Sequence, residues 1–196
     1  MHKREKITLL ISLLILLILS ACARDSSTRD WKVFTIEEEP AINIQFRLPP
    51  RWLVDYAPHR FQPGRWDVTL VPPRCVPEQE NDYQQNCVSL VVHIKEISTF
   101  NKEAFFELTS GDIALGQERG QSAVLLDQDT FRVNRLEMNQ FNHLISSPLG
   151  EVEMSSYFFE TDSAYFTIIT SFPYEAPEFE AVKNFELLLR SVELVK

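Results

Sequence analysis

Apolar and polar residues alternate along several stretches of this 196-residue chain. In the segment before Pro49 and Pro50, every second residue is apolar, which predicts a strand with one buried face. Two further segments, 65–71 (RWDVTLV) and 87–97 (CVSLVVHIKEI), predict strands of the same kind. The apolar positions in the last of these share one face: Val88, Leu90, Val92 and Ile94.

Other segments change period or composition. Asn101 is a candidate N-cap for a helix from Lys102 to about Gly111 or Gly116. Residues 131–145 predict one imperfect strand, and 151–160 and 164–172 predict two aromatic, β-branched strands. Pro177 marks the start of a last helix. The apolar residues of that helix recur at three- and four-residue spacing: Phe179, Val182, Phe185, Leu188, Leu189 and Val192.

This order of elements predicts a single α+β domain over residues 31–196, with an antiparallel sheet flanked by helices. The formal net charge is -9. An acidic chain with no cluster of Lys and Arg outside its first six residues argues against nucleic acid as a partner. Only 5 glycines are present and none forms a nucleotide-binding loop, so phosphate chemistry is also disfavoured.

The first residues form a separate pattern. Residues 1–6 (MHKREK) include three basic residues and one acid, and the 13 residues from Ile7 to Leu19 form an apolar run. A run of that length is shorter than the roughly 20 residues that cross a bilayer, so it is typical of a secretory signal peptide. The alternative is a simple N-terminal membrane anchor.

The four residues Leu19-Ser20-Ala21-Cys22 resemble the lipobox of bacterial lipoproteins. The resemblance implies cleavage before Cys22, a diacylglycerol thioether on its sulfur, and an N-acyl chain such as palmitate on its amino group. Residues 1–21 would then be the signal peptide, and 22–30 the lipidated N-terminus and tether. The alternative is an ordinary signal peptide cut at a small-x-small site.

Lipidation would place the chain in a bacterial cell envelope, held at the membrane and facing the periplasm or the exterior. Ala23 is compatible with the outer membrane, because an Asp at that position favours inner-membrane retention in Gram-negative lipoproteins. No cofactor other than this covalent lipid is expected.

If Cys22 carries lipid, Cys75 and Cys87 remain as an even pair at the base of a long hairpin loop. Exported proteins meet oxidising conditions, so we predict a structural disulfide between them. The alternatives are two free thiols or a metal-binding pair. A metal pair is disfavoured, because no second Cys or His cluster has ligand spacing.

The segment Phe46-Arg47-Leu48-Pro49-Pro50-Arg51-Trp52 resembles the opening motif of the Mog1/PsbP-like superfamily, with Arg51 where that family commonly has Gly. The order of the predicted elements is also similar, including a Ser near the last helix, here Ser191. The resemblance implies an α-β-α sandwich without catalytic machinery, in proteins that act as accessory, assembly or chaperone-like factors.

Candidate chemistry in the rest of the chain is sparse. No catalytic serine motif or metal-binding histidine motif occurs among the residues around His59, His93 and His143, and His93 is predicted to be exposed. The acidic segment 78–82 lacks the spacing of a calcium loop, so solvated surface charge is the simpler interpretation.

Three arginines near Trp66 leave two interpretations open: Arg60, Arg65 and Arg74. They could form an arginine and aromatic rim around a binding surface, or they could pair with nearby acids. Pairing with acids is the simpler interpretation.

The sequence therefore favours a non-enzymatic, lipid-anchored envelope protein that serves as an accessory, scaffold or chaperone-like module and binds another envelope protein. The alternative is a small-ligand-binding envelope lipoprotein. A hydrolase with an unrecognised site ranks third. An exposed aromatic patch would favour the first, a large apolar cavity the second, and a buried, strongly perturbed acid or histidine in a cleft the third.

Overall fold

A computed structural model describes residues 28–73, 75, 87–113, 122–147, 150–174, 177 and 179–195. The chain divides into two units, Met1–Trp31 and Lys32–Lys196. Of the first unit only residues 28–31 are described, and there the Trp31 N–H donates to the Thr28 carbonyl at 3.1 Å. Cys22 and the predicted signal peptide lie outside the described residues. No helix in the described part of the chain is long and apolar enough to cross a membrane.

Ten strands and two helices make up the regular structure of the described residues of the second unit. In chain order they are β1 (Lys32–Phe34), β2 (Ile44–Leu48), β3 (Leu53–Pro58), β4 (Arg65–Val71), β5 (Cys87–Ile94), α1 (Lys102–Thr109), β6 (Ser122–Val133), β7 (Leu136–Ser147), β8 (Gly150–Glu160), β9 (Ala164–Pro173), α2 (Phe179–Arg190) and β10 (Glu193–Leu194). The strands form a three-stranded sheet in the order β1-β2-β10 and a seven-stranded sheet in the order β3-β4-β5-β9-β8-β7-β6.

The predicted α+β sandwich flanked by helices is wrong. The described domain consists mostly of antiparallel sheet, and every strand pair in both sheets is antiparallel. The main physical reason lies in β6. This strand is at the sheet edge and most of its side chains are exposed, so it lacks the apolar alternation that predicts a strand.

The single strand predicted over residues 131–145 is two strands joined by a tight turn. Val133 pairs with Leu136 across that turn, and Asn134 has a φ of 54°. Asn tolerates the left-handed region better than most residues, so it can occupy such a turn. β6 to β9 consequently form a four-stranded meander in place of the predicted three.

Alternation in the central strands was predicted correctly. The four apolar residues of β5 that share a face are all buried, and their β4 neighbours Val68 and Leu70 are each 1% exposed. Leu90 pairs with Val68 on one side and with Ile168 of β9 on the other. This row of large apolar side chains forms the centre of the core.

The first helix begins as predicted and ends earlier. The Asn101 side chain accepts a hydrogen bond from the Ala104 N–H at 3.1 Å, which caps the helix N-terminus. The helix ends at Thr109, with Ser110 as its C-cap, before both glycines considered as its end.

The last helix begins at Phe179, two residues after Pro177. Phe185 and Leu188 are buried as predicted, but Phe179 is 81% exposed. Ser191 connects the end of this helix to β2: its Oγ accepts from the Arg47 N–H at 2.8 Å and donates to the Leu188 carbonyl at 2.6 Å.

The motif around Pro49 forms a turn into a buried tryptophan. The Trp52 N–H donates to the Pro49 carbonyl at 3.2 Å, and Trp52 is 6% exposed. Arg51 adopts a φ of 70°, the left-handed conformation that glycine adopts most easily. The turn therefore forms even though arginine replaces the glycine of the family motif.

Candidate functional site

Two neighbouring connections meet at one end of β4 and β5, and we call residues 59–64 and 95–100 the tip surface. The turn after β3 is closed by hydrogen bonds from the His59 N–H to the Arg65 carbonyl at 2.8 Å and from the Arg65 N–H to the Gln62 carbonyl at 3.1 Å. The Ile94 N–H donates to the Gly64 carbonyl at 2.7 Å, which joins the turn to the segment after β5. Backbone hydrogen bonds therefore fix the conformation of the turn and its position against the segment after β5.

Gly64 allows the two connections to approach closely. Its φ is 75°, and a Cβ at this position would lie 2.6 Å from Cγ1 of Ile97 and 2.9 Å from the Ser98 nitrogen. Any other residue would force the two connections apart, so the shape of the tip surface depends on this glycine.

Two large apolar side chains project into solvent from the tip surface. Phe61 is 87% exposed and Ile97 is 56% exposed. The Phe61 ring has one aromatic neighbour among the described contacts, His59, with 6.3 Å between ring centroids. The tip surface thus exposes two apolar side chains and Arg60 on turns that are closed by backbone hydrogen bonds.

Of the two interpretations of the arginines near Trp66, the arginine and aromatic rim does not apply to Arg65. The Arg65 Nε and Nη2 atoms lie 2.8 and 2.7 Å from Asp67 Oδ1, and Nη1 donates to Gln62 Oε1 at 2.8 Å. Arg65 and Trp66 are adjacent in a strand, so their side chains point to opposite faces of the sheet. Pairing with a nearby acid is therefore correct for Arg65, while Arg74 lies outside the described residues.

His93, predicted to be exposed, is half-buried. Its ring stacks on Phe100 with 4.3 Å between centroids, and its Nδ1 lies 3.1 Å from Ser98 Oγ. Burial lowers the pKa of His93 below its usual value, and the neighbouring Arg65 charge lowers this pKa further. A lowered pKa favours the neutral imidazole at pH 7, so His93 serves as a packing group at the base of the tip surface.

An aromatic cluster continues from His93 across the same face of the larger sheet. Its ring centroids follow one another at 4.3 Å from His93 to Phe100, 5.8 Å to Phe105, 6.0 Å to Phe106 and 5.6 Å to Phe141. Phe100 and Phe105, on either side of the Asn101 cap, form a hydrophobic staple within this cluster. The cluster packs α1 against the sheet. It begins at the tip surface with His93 and ends at Phe141, which lines a groove.

The groove lies between α1 and the β6–β7 hairpin and has a volume of about 540 Å³. Phe106 and Phe141 line it, and their rings meet nearly edge to face at 86°. Its polar lining residues include Glu107, Asp129 and Asn139. Sequence patterns did not indicate this groove, because its residues come from three separate elements.

A lysine pair fixes the start of α1 to the sheet. Lys95 and Lys102 both contact the Glu160 carboxylate, with Lys95 Nζ at 2.7 Å. Burial alone would raise the pKa of Glu160, but the hydrogen bonds from Lys102 and Lys95 outweigh it, and this pKa lies below its usual value. These ion pairs hold Lys95, a residue of the tip surface, and the start of α1 against β8.

The predicted cysteine pair forms a disulfide in the structure. Cys75 and Cys87 are bonded, with their Cα atoms 4.8 Å apart. Glu78, Glu80 and Asp82 in the loop that this bond closes lie outside the described residues. No group of three or more His, Cys, Asp or Glu side chains that could hold a metal ion occurs within the described part of the chain.

Comparison with solved structures identifies proteins of similar fold. The chain is similar to the solution structure of cyanobacterial PsbP (CyanoP) from Synechocystis sp. PCC 6803, with 10% identity, 83% of this chain and 91% of that chain covered, and a TM-score of 0.52. The domain therefore has a PsbP-like fold, as the motif around Trp52 predicted.

Two weaker matches have TM-scores below 0.5. The Ran-binding protein Mog1p from Saccharomyces cerevisiae matches at 13% identity, with 85% and 96% of the two chains covered and a TM-score of 0.42. A protein from Bacteroides thetaiotaomicron matches at 9% identity, with 85% and 49% covered and a TM-score of 0.44. No family model and no curated protein matches the sequence.

Proposed function

We propose that this chain is a non-enzymatic, lipid-anchored envelope protein whose domain binds another envelope protein through the tip surface. The exposure of Phe61 is the observation that carries the proposal. Burying a phenylalanine side chain in an interface stabilises a complex by roughly 1.5–3 kcal/mol. A PsbP-like fold alone does not define an activity, so the proposal depends on the tip surface.

The tip surface has the composition and rigidity that binding requires. Phe61 and Ile97 supply apolar area, and Arg60 supplies a residue type that is enriched among interface hot spots. Because the turn is closed by backbone hydrogen bonds, little conformational freedom is lost when a partner binds. A partner with an apolar surface edged by carboxylates would complement these side chains.

The N-terminal pattern supports the anchoring part of the proposal. Two or three acyl chains on Cys22 would give stable membrane attachment, since each buried methylene contributes about 0.8 kcal/mol. Intact-mass measurement of the full chain, purified from membranes of its native host, should find a mature protein that begins at Cys22 and carries acyl mass. A mature chain that begins elsewhere or lacks lipid would reject the anchor.

Site-specific photocross-linking tests the binding part. The full chain carries p-benzoylphenylalanine in place of Phe61, and its adducts in the native host are identified by mass spectrometry. Leu53 is the control position, because it is 69% exposed and lies at the other end of β3, about 17 Å from Pro58 at 3.4 Å per residue. We expect one discrete adduct from position 61 that position 53 does not give.

A second variant makes the test specific to the side chain. With the cross-linker at position 97, the substitution Phe61→Ser should abolish the adduct, while Leu53→Ser should leave it unchanged. The same adduct pattern from positions 53, 61 and 97, or no adduct from position 61, would contradict the proposal.

A further inference from the structure

We propose that the groove between α1 and the β6–β7 hairpin binds an arginine side chain of the partner protein. This inference rests on the proposed function, since it adds a second contact to the same partner. It concerns a separate group of residues, so the two proposals can fail independently.

The lining of the groove matches a guanidinium group. Phe106 and Phe141 line it, and the half-buried Phe106 is the more accessible ring because Phe141 is 4% exposed. A cation within about 6 Å of such a ring is attracted by the ring quadrupole. The guanidinium is planar and more weakly hydrated than an ammonium, so it stacks on rings at a smaller desolvation cost. The aliphatic part of an arginine side chain would cover the remaining apolar lining.

The charges point to the same ligand. Glu107 and Asp129 contribute carboxylates, and none of the described residues that line the groove is Lys, Arg or His. The Asp129 carboxylate is already oriented, because its Oδ1 accepts the Thr130 N–H at 2.7 Å. Asn139 Oδ1 lies 3.1 Å from the Thr130 hydroxyl, which donates to it, so the rim is partly organised before a ligand binds.

The position of the groove favours a protein side chain over a free small cation. The groove lies beside α1, and the aromatic cluster connects it to the tip surface on the same face of the sheet. A partner that covers Phe61 and extends along α1 would therefore reach both places. An arginine at the far end of such a partner would enter the groove.

The first experiment measures binding to the full chain in detergent. The probe is N-acetyl-arginine methylamide, and the matched probe is the citrulline compound, which has the same shape without the charge. Amide chemical shifts of Phe106, Ser110 and Thr130 report binding. We expect the arginine probe to shift these resonances, the citrulline probe to leave them unchanged, and added salt to weaken the effect.

Isosteric variants assign the binding to the carboxylates. The double variant Glu107→Gln, Asp129→Asn should weaken binding of the arginine probe by on the order of fivefold, as expected for the loss of two exposed charge pairs. Glu103→Gln is the control, because it removes a charge from the same helix at a residue that does not line the groove. Equal binding of the two probes, or equal weakening by the control, would overturn the inference.

Cross-linking from Gln128, which lines the groove, distinguishes the sources of the cation. A protein adduct from position 128 that the double variant abolishes and Glu103→Gln preserves supports a partner arginine. Probe binding without such an adduct would show that the cation is a small molecule and overturn the inference. A position-128 adduct without any from position 61 would reject the tip surface while retaining the groove.

Discussion

The side-chain amide of Asn134 donates a hydrogen bond of 2.6 Å to the carbonyl oxygen of Val192, 58 residues further along the chain. The same amide nitrogen lies 3.4 Å from the Arg190 carbonyl oxygen. A turn residue between β6 and β7 therefore satisfies the backbone at the end of α2. This contact connects the seven-stranded sheet to the helix that precedes β10.

Substitutions of Asn134 separate the hydrogen bond from the backbone conformation. Asn134→Gly removes the amide but suits a φ of 54°, so we expect a loss of about 1 kcal/mol in the free energy of unfolding. Asn134→Ala removes the amide and strains the backbone, for a loss of about 2 kcal/mol in all. Urea denaturation measures both values, and equal stability of the two variants would contradict the role of the left-handed turn.

Arg51→Gly should stabilise the domain. The φ of 70° at this residue costs an ordinary side chain roughly 1–2 kcal/mol, and glycine avoids that cost while losing part of the gain to chain entropy. We expect a net increase of about 0.5–1 kcal/mol in the free energy of unfolding. Arg51→Lys, which keeps the side-chain constraint, should differ little from the native chain. A destabilised glycine variant would show that the Arg51 side chain makes a larger contribution than the turn.

Gly64→Ala should destabilise the domain and distort the tip surface. The added Cβ would meet Ile97 Cγ1 and the Ser98 nitrogen inside contact distance, in a backbone conformation that alanine disfavours. The expected loss is about 2 kcal/mol or more. Gly111→Ala is the control, since a Cβ there meets nothing within 4 Å. Similar thermal unfolding of the two variants would refute the close approach.

Removal of the disulfide should lower the free energy of unfolding, because the unfolded chain gains conformational entropy without the cross-link. The bond joins residues with a sequence separation of 12, and closing a loop of this length contributes about 3 kcal/mol in the chain-entropy model. The variant Cys75→Ser, Cys87→Ser, measured by urea denaturation, should lose this amount. Thiol labelling of the denatured, unreduced native protein should leave both cysteines unmodified, and labelling of both would disprove the bond.

Tyr157 should titrate well above the usual pKa of a tyrosine. Burial raises the pKa of Tyr157 to about 12, although its hydrogen bond to Ser155 acts in the opposite direction. Because the folded-state pKa exceeds the unfolded value near 10, the contribution to stability is complete below pH 10 and is lost as pH rises toward 12.

Absorbance at 295 nm follows this titration in the folded protein. The native chain should show one late tyrosinate that Tyr157→Phe lacks, and the variant should lose less stability between pH 10 and 12. A native titration that is complete near pH 10 would contradict burial of this hydroxyl group.

Local patterns predicted part of this structure well. The Asn101 cap, the alternation in β4 and β5 and the pairing of Cys75 with Cys87 each follow from residues close together in the sequence. The hairpin at Asn134 was missed, because apolar residues on both sides of the turn continue the strand-like pattern. The asparagine itself was the available signal, since it is common in two-residue turns.

The candidate site was largely invisible to the same reasoning. Phe61 lies between an arginine and a glutamine, a pattern equally consistent with a ring folded back into the core. The groove brings together side chains from α1, β6 and β7, and only the pairing of those elements places Glu107 near Asp129. Sequence patterns indicated that Arg65 pairs with a nearby acid, and the tertiary structure identifies that acid as Asp67.

By itself, the sequence determined the strands and caps that depend on near neighbours, together with an N-terminal pattern that predicts a lipid anchor at Cys22. The tertiary structure alone decided which side chains remain in solvent and which distant residues share a surface. The physical reason is that alternation and capping act over a few residues, whereas exposure depends on what the rest of the chain covers. For Phe61 nothing in the described structure covers more than a small part of the ring, and that exposure is what the proposed function uses.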